Sequence, residues 1–255
     1  MIANYHTHTV RCSHAVGEDE EYILNAIKNG IKILGFSDHA PFKFPDGYES
    51  YFRVPTSKAE EYIKTFSAFK EKYKNDIEIH IGFEMEYYLL YFSDMLKGVK
   101  KLGAEYLILG QHFLGNEHPN GTITYRENLQ GESLIEYVDT VIEAIKTLKF
   151  SYIAHPDVAK FESDEFYIGE ARRLCLAAKE YDIPLEINLL GIRRQKHYPN
   201  SVFWKVAGEV GNKAVIGIDA HDPNDFFYQN ELKIAEKIAN DNSIEILKTI
   251  NFKKL

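Results

Sequence analysis

Short apolar runs alternate with amphipathic stretches along the whole chain, and this alternation constrains the fold more than any other feature. Each run is rich in Ile, Val, Leu, Phe and Tyr and is short enough to be one buried strand. The alternation predicts βα units and a parallel sheet, either closed into a barrel or doubly wound. The runs are MIANYH, IKILGFSDH, IEIHIGFE, YLILGQH, FSYIAH, IPLEIN and AVIGIDAH.

Helices are predicted between these runs from the 3.6-residue spacing of apolar side chains. Gly30 follows the first helix as a C-terminal stop, and Ser57 and Glu60 have the spacing of a capping box in the second. The tail from Asn242 fits either a last helix or a short strand. No linker divides the chain, so we predict a single domain over residues 1–255. The predicted helices cover 18–29, 56–73, 91–102, 132–148, 164–181, 201–210 and 225–239.

Every apolar run ends in, or beside, a side chain that can bind metal. In a βα barrel the carboxyl ends of the strands converge on one face, whereas an open sheet spreads them along a line. The distribution of candidate ligands therefore favours a barrel. These strand-end residues are His6, His8, Asp38, His39, Glu84, His112, His155, Asn188, Asp219 and His221.

The spacing of two pairs supports a metal site, because side chains two apart on a strand share a face. His6 with His8, and Asp219 with His221, can each bind one ion or two adjacent ions. His80 sits about four residues, roughly 13 Å, below Glu84, which is the position of a barrel-layer residue. His118 and His197 fall in loops, where surface or substrate-loop roles are expected. Cys12 is interpreted as a small loop residue, with metal ligation as the weaker alternative.

Composition excludes several functions. The 38 acidic against 30 basic residues, with a net charge of −8, leave no basic face for nucleic acid. Bound divalent metals can reverse the local sign, so an anionic substrate remains compatible. No run is apolar enough to span a bilayer, no signal peptide precedes Tyr5, and two cysteines fit a reducing compartment. We therefore expect a cytoplasmic protein with no membrane or nucleic-acid partner. Triad, P-loop and dinucleotide motifs are also missing from the sequence.

The strand-end set, with His14, resembles the PHP (polymerase and histidinol phosphatase) superfamily over nearly the whole chain. The motifs GFSDHAPF, GFEMEY, GQHF, AHPD, EINLLGIR and GIDAH are similar to its histidinol-phosphate phosphatase branch. The resemblance implies an α/β fold, a distorted TIM-like (β/α)7 barrel with three divalent ions (Zn, Fe or Mn). It implies His6, His8, Glu84 and Asp219 at the first ion, Glu84, His112 and His155 at the second, and His14, His39 and His221 at the third.

The same resemblance implies hydrolysis of L-histidinol phosphate, a small phosphate ester, to L-histidinol and phosphate in histidine biosynthesis. A metal-bridging hydroxide is expected to attack phosphorus, with Glu84 and Asp219 as the metal-bound catalytic carboxylates. Arg193 falls where the family has a phosphate-contacting arginine, although Leu189 and Leu190 replace its small polar residues. The remaining candidates are Lys160 and Arg194, as further phosphate contacts or solvated cations, and Asp157, as an orienting group or proton donor to the leaving alkoxide.

Three alternatives remain open. The first is a PHP phosphoesterase that acts on another phosphate ester. The second is an amidohydrolase-type C–N hydrolase, which the bridging position of Glu84 and the Asp219-X-His221 pair disfavour. The third is a non-catalytic PHP module associated with a DNA polymerase. The oligomeric state is not predicted.

Overall fold

A curled parallel sheet forms the centre of the molecule, as seen in a computed structural model that describes residues 1–126, 129 and 131–255. The strands are β1 Ala3–Asn4, β2 Ile33–Phe36, β3 Glu78–Met85, β4 Tyr106–Leu109, β5 Phe113–Leu114, β6 Thr122–Ile123, β7 Leu185–Asn188, β8 Lys213–Gly217 and β9 Glu245–Ile246. The helices are α1 Asp19–Lys28, α2 Ala59–Lys72, α3 Phe92–Leu102, α4 Gly131–Lys146, α5 Glu165–Glu180, α6 Leu189–Arg193, α7 Ser201–Val210 and α8 Gln229–Asp241.

Two parallel sheets, ordered β1-β2-β3-β4 and β7-β8-β9, are joined into one distorted barrel. Ile153 bridges Leu109 of β4 to Leu185 of β7, so the predicted fifth strand is present only as single bridges. On the other side, Thr7 beyond β1 pairs with Ala220 beyond β8. The seven strand positions therefore close on themselves, which confirms the predicted distorted TIM-like barrel. The antiparallel hairpin β5–β6 lies outside this ring.

The seam between β1 and β8 is held by the side chain of Asn4. Its Oδ1 accepts a hydrogen bond of 2.8 Å from the backbone N–H of Ile218. Its Nδ2 donates to the Thr7 hydroxyl at 2.8 Å and to the His6 carbonyl at 3.1 Å. A buried amide thus adds to the backbone hydrogen bonds between Ala220 and the segment from His6 to His8, where two metal-ligand candidates leave the strand.

The amino end of the barrel is filled by aromatic side chains. Tyr106 donates a hydrogen bond of 2.8 Å to the Tyr5 carbonyl and stacks on Phe252 of the tail at 4.7 Å between ring centroids. Gly35 and Gly82 leave room for this tyrosine, since a β carbon at either position would collide with it. After the short strand β9, the tail therefore closes the end of the barrel that lies away from the candidate ligands.

Most predicted helices are confirmed with small shifts at their ends. The second begins later, at Ala59, after a 3₁₀ turn at Thr56–Lys58, so the predicted capping box is wrong there. Thr56 instead bonds the Glu49 carboxylate, at 2.9 Å from its backbone N–H. The last helix begins at Gln229 because a separate 3₁₀ turn, Pro223–Phe226, precedes it. Within the described residues, no helix has the length and apolarity needed to cross a membrane.

Candidate metal centre

Nine predicted ligands converge at the carboxyl end of the barrel. The imidazoles form a continuous cluster in which neighbouring ring centroids are 4.4 Å apart for His8 and His221 and 4.9 Å for His112 and His155. His14 joins this cluster through a turn at Ser13, which has a left-handed φ of 62°, and its ring centroid lies 4.8 Å from that of His221. The nine are His6, His8, His14, His39, Glu84, His112, His155, Asp219 and His221.

Glu84 lies at the middle of this cluster and is 1% exposed. Its Oε1 is 3.0 Å from His155 Nε2 and 3.6 Å from His112 Nε2. Its Oε2 is 3.1 Å from His39 Nδ1 and 3.4 Å from His8 Nε2. Gly110 opposite has no side chain, and a β carbon there would collide with the carboxylate. One carboxylate therefore faces histidines from four different segments, which is the placement expected of a bridging ligand.

Asp219 approaches the cluster from β8. Its Oδ1 lies 3.4 Å from His6 Nε2 and 3.5 Å from His8 Nε2. Its Oδ2 accepts a hydrogen bond of 3.0 Å from the Asn188 amide. Asp219 has a positive φ of 52°, and His155 has a positive φ of 29°. Such backbone conformations are sparsely populated for residues other than glycine, so the surrounding structure must hold these two ligands in place.

The donor set fits divalent metal ions. Asp219 Oδ1, which faces His6 and His8, is buried without a hydrogen-bond partner among the described residues. Leaving such an atom unsatisfied costs about 1–3 kcal/mol, so a bound ion offers a physical reason for its placement. Imidazole nitrogen and carboxylate oxygen are ligands for Zn, Fe and Mn. His6, His8 and Glu84 have ligand atoms within 4.8 Å of one another, which is close enough to hold one ion. The same is true of His39, Glu84 and His112. The assignment of each residue to one of three ions stays a prediction.

Protons are held unevenly in this cluster. Burial lowers the pKa of His8, but Cys12, Glu84 and Asp219 outweigh it and raise the pKa to about 10. Burial and the neighbouring His8 lower the pKa of His221 to about 3. Some imidazoles therefore carry a proton that a metal ion must displace, whereas others are already neutral ligands.

Two buried carboxylates that the sequence reading missed orient the ligands from behind. Glu186 Oε1 lies 2.8 Å from His6 Nδ1. Its Oε2 accepts a hydrogen bond of 3.0 Å from the backbone N–H of His155. Glu86 Oε1 lies 2.9 Å from His112 Nδ1. Metal-bound imidazoles usually donate their second N–H to such a group. The sequence contained a signal for both glutamates in the two-residue spacing that places side chains on the same face of a strand. Glu86 lies two residues after Glu84, and Glu186 lies two residues before Asn188.

The predicted phosphate contacts lie at the end of α6 and on loops. Arg193, at the end of α6, pairs with Asp225 at 2.7 Å, and Asp225 in turn accepts from the His221 N–H at 2.8 Å. Arg194 is exposed, and Lys160 is half-buried with its backbone N–H bonded to Thr124. Leu189 and Leu190, the departure from the family pattern, are buried.

Asp157 is buried, but its carboxylate faces the start of α7. It accepts hydrogen bonds from the Asn200 N–H and, at 3.1 Å, from the Trp204 indole. Burial raises the pKa of Asp157 to about 6. The positive φ of His155 breaks the strand alternation that the expected orientation assumed. Both hydrogen bonds found for this carboxylate in the described residues therefore bind it to the first turn of α7. A catalytic role for Asp157 stays a prediction.

The other histidines and Cys12 are placed as follows. His80 contacts Glu105 at 2.8 Å and Phe252 at the far end of the barrel. His118 bonds Asp46 at 2.7 Å, and His197 bonds the Val158 carbonyl at 2.7 Å. Cys12 is fully buried on a 3₁₀ turn, Val10–Cys12, and its sulfur lies within 4.8 Å of ligand atoms of His8 and His221. Its loop position is as expected, but it is closer to the cluster than the preferred interpretation assumed.

The fold and the cluster together define a class of protein. Residues 4–189 match the model of the PHP domain family. The chain therefore belongs to the PHP domain family. The match covers most of the chain and includes all predicted ligands except Asp219 and His221, which the barrel closure adds.

Individual relatives agree with this class. A probable histidinol-phosphatase from Deinococcus radiodurans is 27% identical over 233 residues, which cover 88% of each chain. A histidinol-phosphatase from Bacillus subtilis is 26% identical over 260 residues, covering 89% of this chain and 96% of the relative. The prediction of a metal-dependent phosphatase of the PHP family is thereby confirmed.

A solved structure shares the fold. The histidinol phosphate phosphatase from Lactococcus lactis, determined with zinc, L-histidinol and phosphate, superposes with a TM-score of 0.75 at 19% identity. The alignment covers 98% of this chain and 96% of that one.

Proposed function

We propose that the protein hydrolyses L-histidinol phosphate to L-histidinol and phosphate at a centre of three divalent ions. The observation that carries the proposal is the position of the Glu84 carboxylate. It is buried among histidines from separate strands, with His155 Nε2 at 3.0 Å and His39 Nδ1 at 3.1 Å. The names of the Deinococcus and Bacillus relatives support the substrate.

Zinc, iron or manganese would be held by the nine clustered residues, with Glu84 shared between the first and second ions. When bound, such ions lower the pKa of coordinated water from about 15.7 to about 7 and stabilise the attacking and leaving oxygens of an in-line displacement. This chemistry suits a phosphate monoester, whose dianion repels a free hydroxide.

The residues of the chain supply position and charge. Glu186 and Glu86 hold the rings of His6 and His112, so that the opposite nitrogens face the centre. Arg193 would turn from Asp225 to the phosphoryl oxygens, because its planar guanidinium matches phosphate geometry. Lys160 and Arg194 are further candidates for the phosphate. Asp157 would protonate the leaving alkoxide only if its carboxylate left the start of α7.

The experiment is phosphate release from a panel of monoesters by the metal-loaded protein. The panel contains histidinol phosphate, an aliphatic amino-alcohol phosphate, a sugar phosphate and an aryl phosphate, compared by kcat/KM. We expect histidinol phosphate to be preferred by at least tenfold, which is about 1.4 kcal/mol in transition-state binding. Equal rates across the panel would reject the substrate and leave the reaction class standing.

A further inference from the structure

Arg53 is a fully buried cation close to the candidate metal centre. The proposed reaction assigns no role to it. It is 1% exposed and lies on the long segment between β2 and α2. Its Nη2 donates to Glu86 and Glu117, its Nε donates to Glu117 at 2.7 Å, and its Nη1 donates to the Ala40 carbonyl at 3.0 Å. A buried arginine with this many bonds is fixed in one orientation.

The bonds of Arg53 lead directly to two candidate ligands. Glu86, which it holds, accepts from His112 Nδ1 at 2.9 Å through its other oxygen. Ala40, whose carbonyl accepts from Arg53, directly follows His39. Val54, the residue after Arg53, donates its backbone N–H to the His39 carbonyl at 3.1 Å. Arg53 therefore touches the supports of two histidines that come from different strands.

Arg53 is also the cation that compensates two buried carboxylates. Two carboxylates, Glu86 and Glu117, share one guanidinium, and Glu117 accepts further hydrogen bonds from the hydroxyls of Ser50 and, at 2.7 Å, Tyr88. Without Arg53 the carboxylates would lie buried with no cation between them. Removal of one partner from a buried ion pair leaves an uncompensated charge, and the other groups must then move or take up a proton.

We propose that Arg53 is a positioning residue of the metal centre, which fixes His112 through Glu86 and His39 through Ala40. The proposal rests on the proposed function in one respect, that these two histidines bind ions. Arg53 itself touches neither the substrate nor an ion. The role requires a planar guanidinium, because four N–H groups of Arg53 donate to acceptors that lie in different directions. A lysine ammonium cannot reproduce this arrangement.

The test compares Arg53→Lys and Arg53→Met with wild type and with Arg172→Met, a control that removes an exposed arginine paired with Glu209. Each full-length protein is loaded with Zn²⁺ or Mn²⁺. Bound metal is measured by mass spectrometry, affinity by competition with a chelator, and folding by circular dichroism. We expect both Arg53 variants to bind at least one ion about 10–100-fold more weakly, as loss of an outer support of a metal ligand does. We also expect kcat to fall more than KM rises.

Arg53→Lys keeps the charge, so it gives a result even if Arg53→Met does not fold. A folded Arg53→Lys protein with wild-type metal affinity and kcat would overturn the proposal. An equal loss of metal in Arg172→Met would also overturn it. Metal affinity is measured without turnover, so a wild-type protein that binds ions but releases no phosphate would reject the proposed function alone.

Discussion

His6 Nδ1 lies 2.8 Å from Glu186 Oε1, although the two residues are 180 positions apart in the chain. Both are fully buried, and Gly217 on the neighbouring strand leaves the space that the carboxylate occupies. The contact turns Nε2 of His6 toward Glu84 and Asp219. The orientation of the first candidate ligand is therefore set by β7, a strand that only β8 separates from β1 around the barrel.

Glu186→Gln tests this orientation. The amide keeps the shape but removes the charge that favours a donated N–H from His6, so we expect metal affinity to fall about 10–100-fold. The measurement is metal retention after dialysis against a chelator. Glu170→Gln, which changes a buried glutamate on α5 paired with Arg173, serves as the control. Equal retention in the two variants would contradict the role of Glu186.

Glu84→Ala should abolish phosphate release and remove more than one ion per chain, because a shared carboxylate contributes to two sites. Metal content by mass spectrometry gives the stoichiometry. Glu78→Ala is the matched control, since Glu78 lies on the same strand and face but at the exposed, opposite end of β3. An unchanged metal count in Glu84→Ala would rule out a bridging position.

Arg193→Ala should weaken turnover of the phosphate ester while the ions stay bound. A charge-assisted hydrogen bond contributes about 1.5–3 kcal/mol, which corresponds to roughly 10–150-fold in kcat/KM. Steady-state kinetics and metal content are measured on the same sample. Arg194→Ala, one residue further and exposed, shows whether a neighbouring cation acts instead. Full activity of Arg193→Ala would reject its contact with phosphate.

Metal affinity should rise with pH. The pKa of His8 is raised to about 10, so this ring holds a proton at neutral pH that a metal must displace. Affinity then increases about tenfold per pH unit for each proton released, below that pKa. His221, with its pKa lowered to about 3, has no proton to release at neutral pH. Calorimetry of Zn²⁺ binding in buffers of different ionisation enthalpy counts the protons. A count of zero at pH 7 would contradict this account.

The sequence predicted the barrel and the placement of most candidate ligands, because both follow from local patterns. Strand alternation places His6 and His8 on one face, and the convergence of strand ends brings Glu84 and His112 together. The fifth strand was overestimated, since only Ile153 forms bridges there. Apolar composition identifies a buried segment but not how many ladder bonds it makes.

Other features depend on contacts that spacing does not encode. The expected orientation of Asp157 assumed regular alternation after His155, and the positive φ of His155 redirects the chain toward α7. The carboxylate of Glu186 was overlooked because its partner lies 180 residues away. Tertiary closure thus determines which polar residues support the ligands.

The most direct test of the central claim is phosphate release from histidinol phosphate as divalent metal is added back to metal-free protein. The account predicts no release without metal, and a rise in activity that levels off at about three equivalents of Zn²⁺ or Mn²⁺ per chain, since the ions supply the activated water. Full activity in the metal-free protein, or no release from any phosphate ester once the ions are bound, would contradict it.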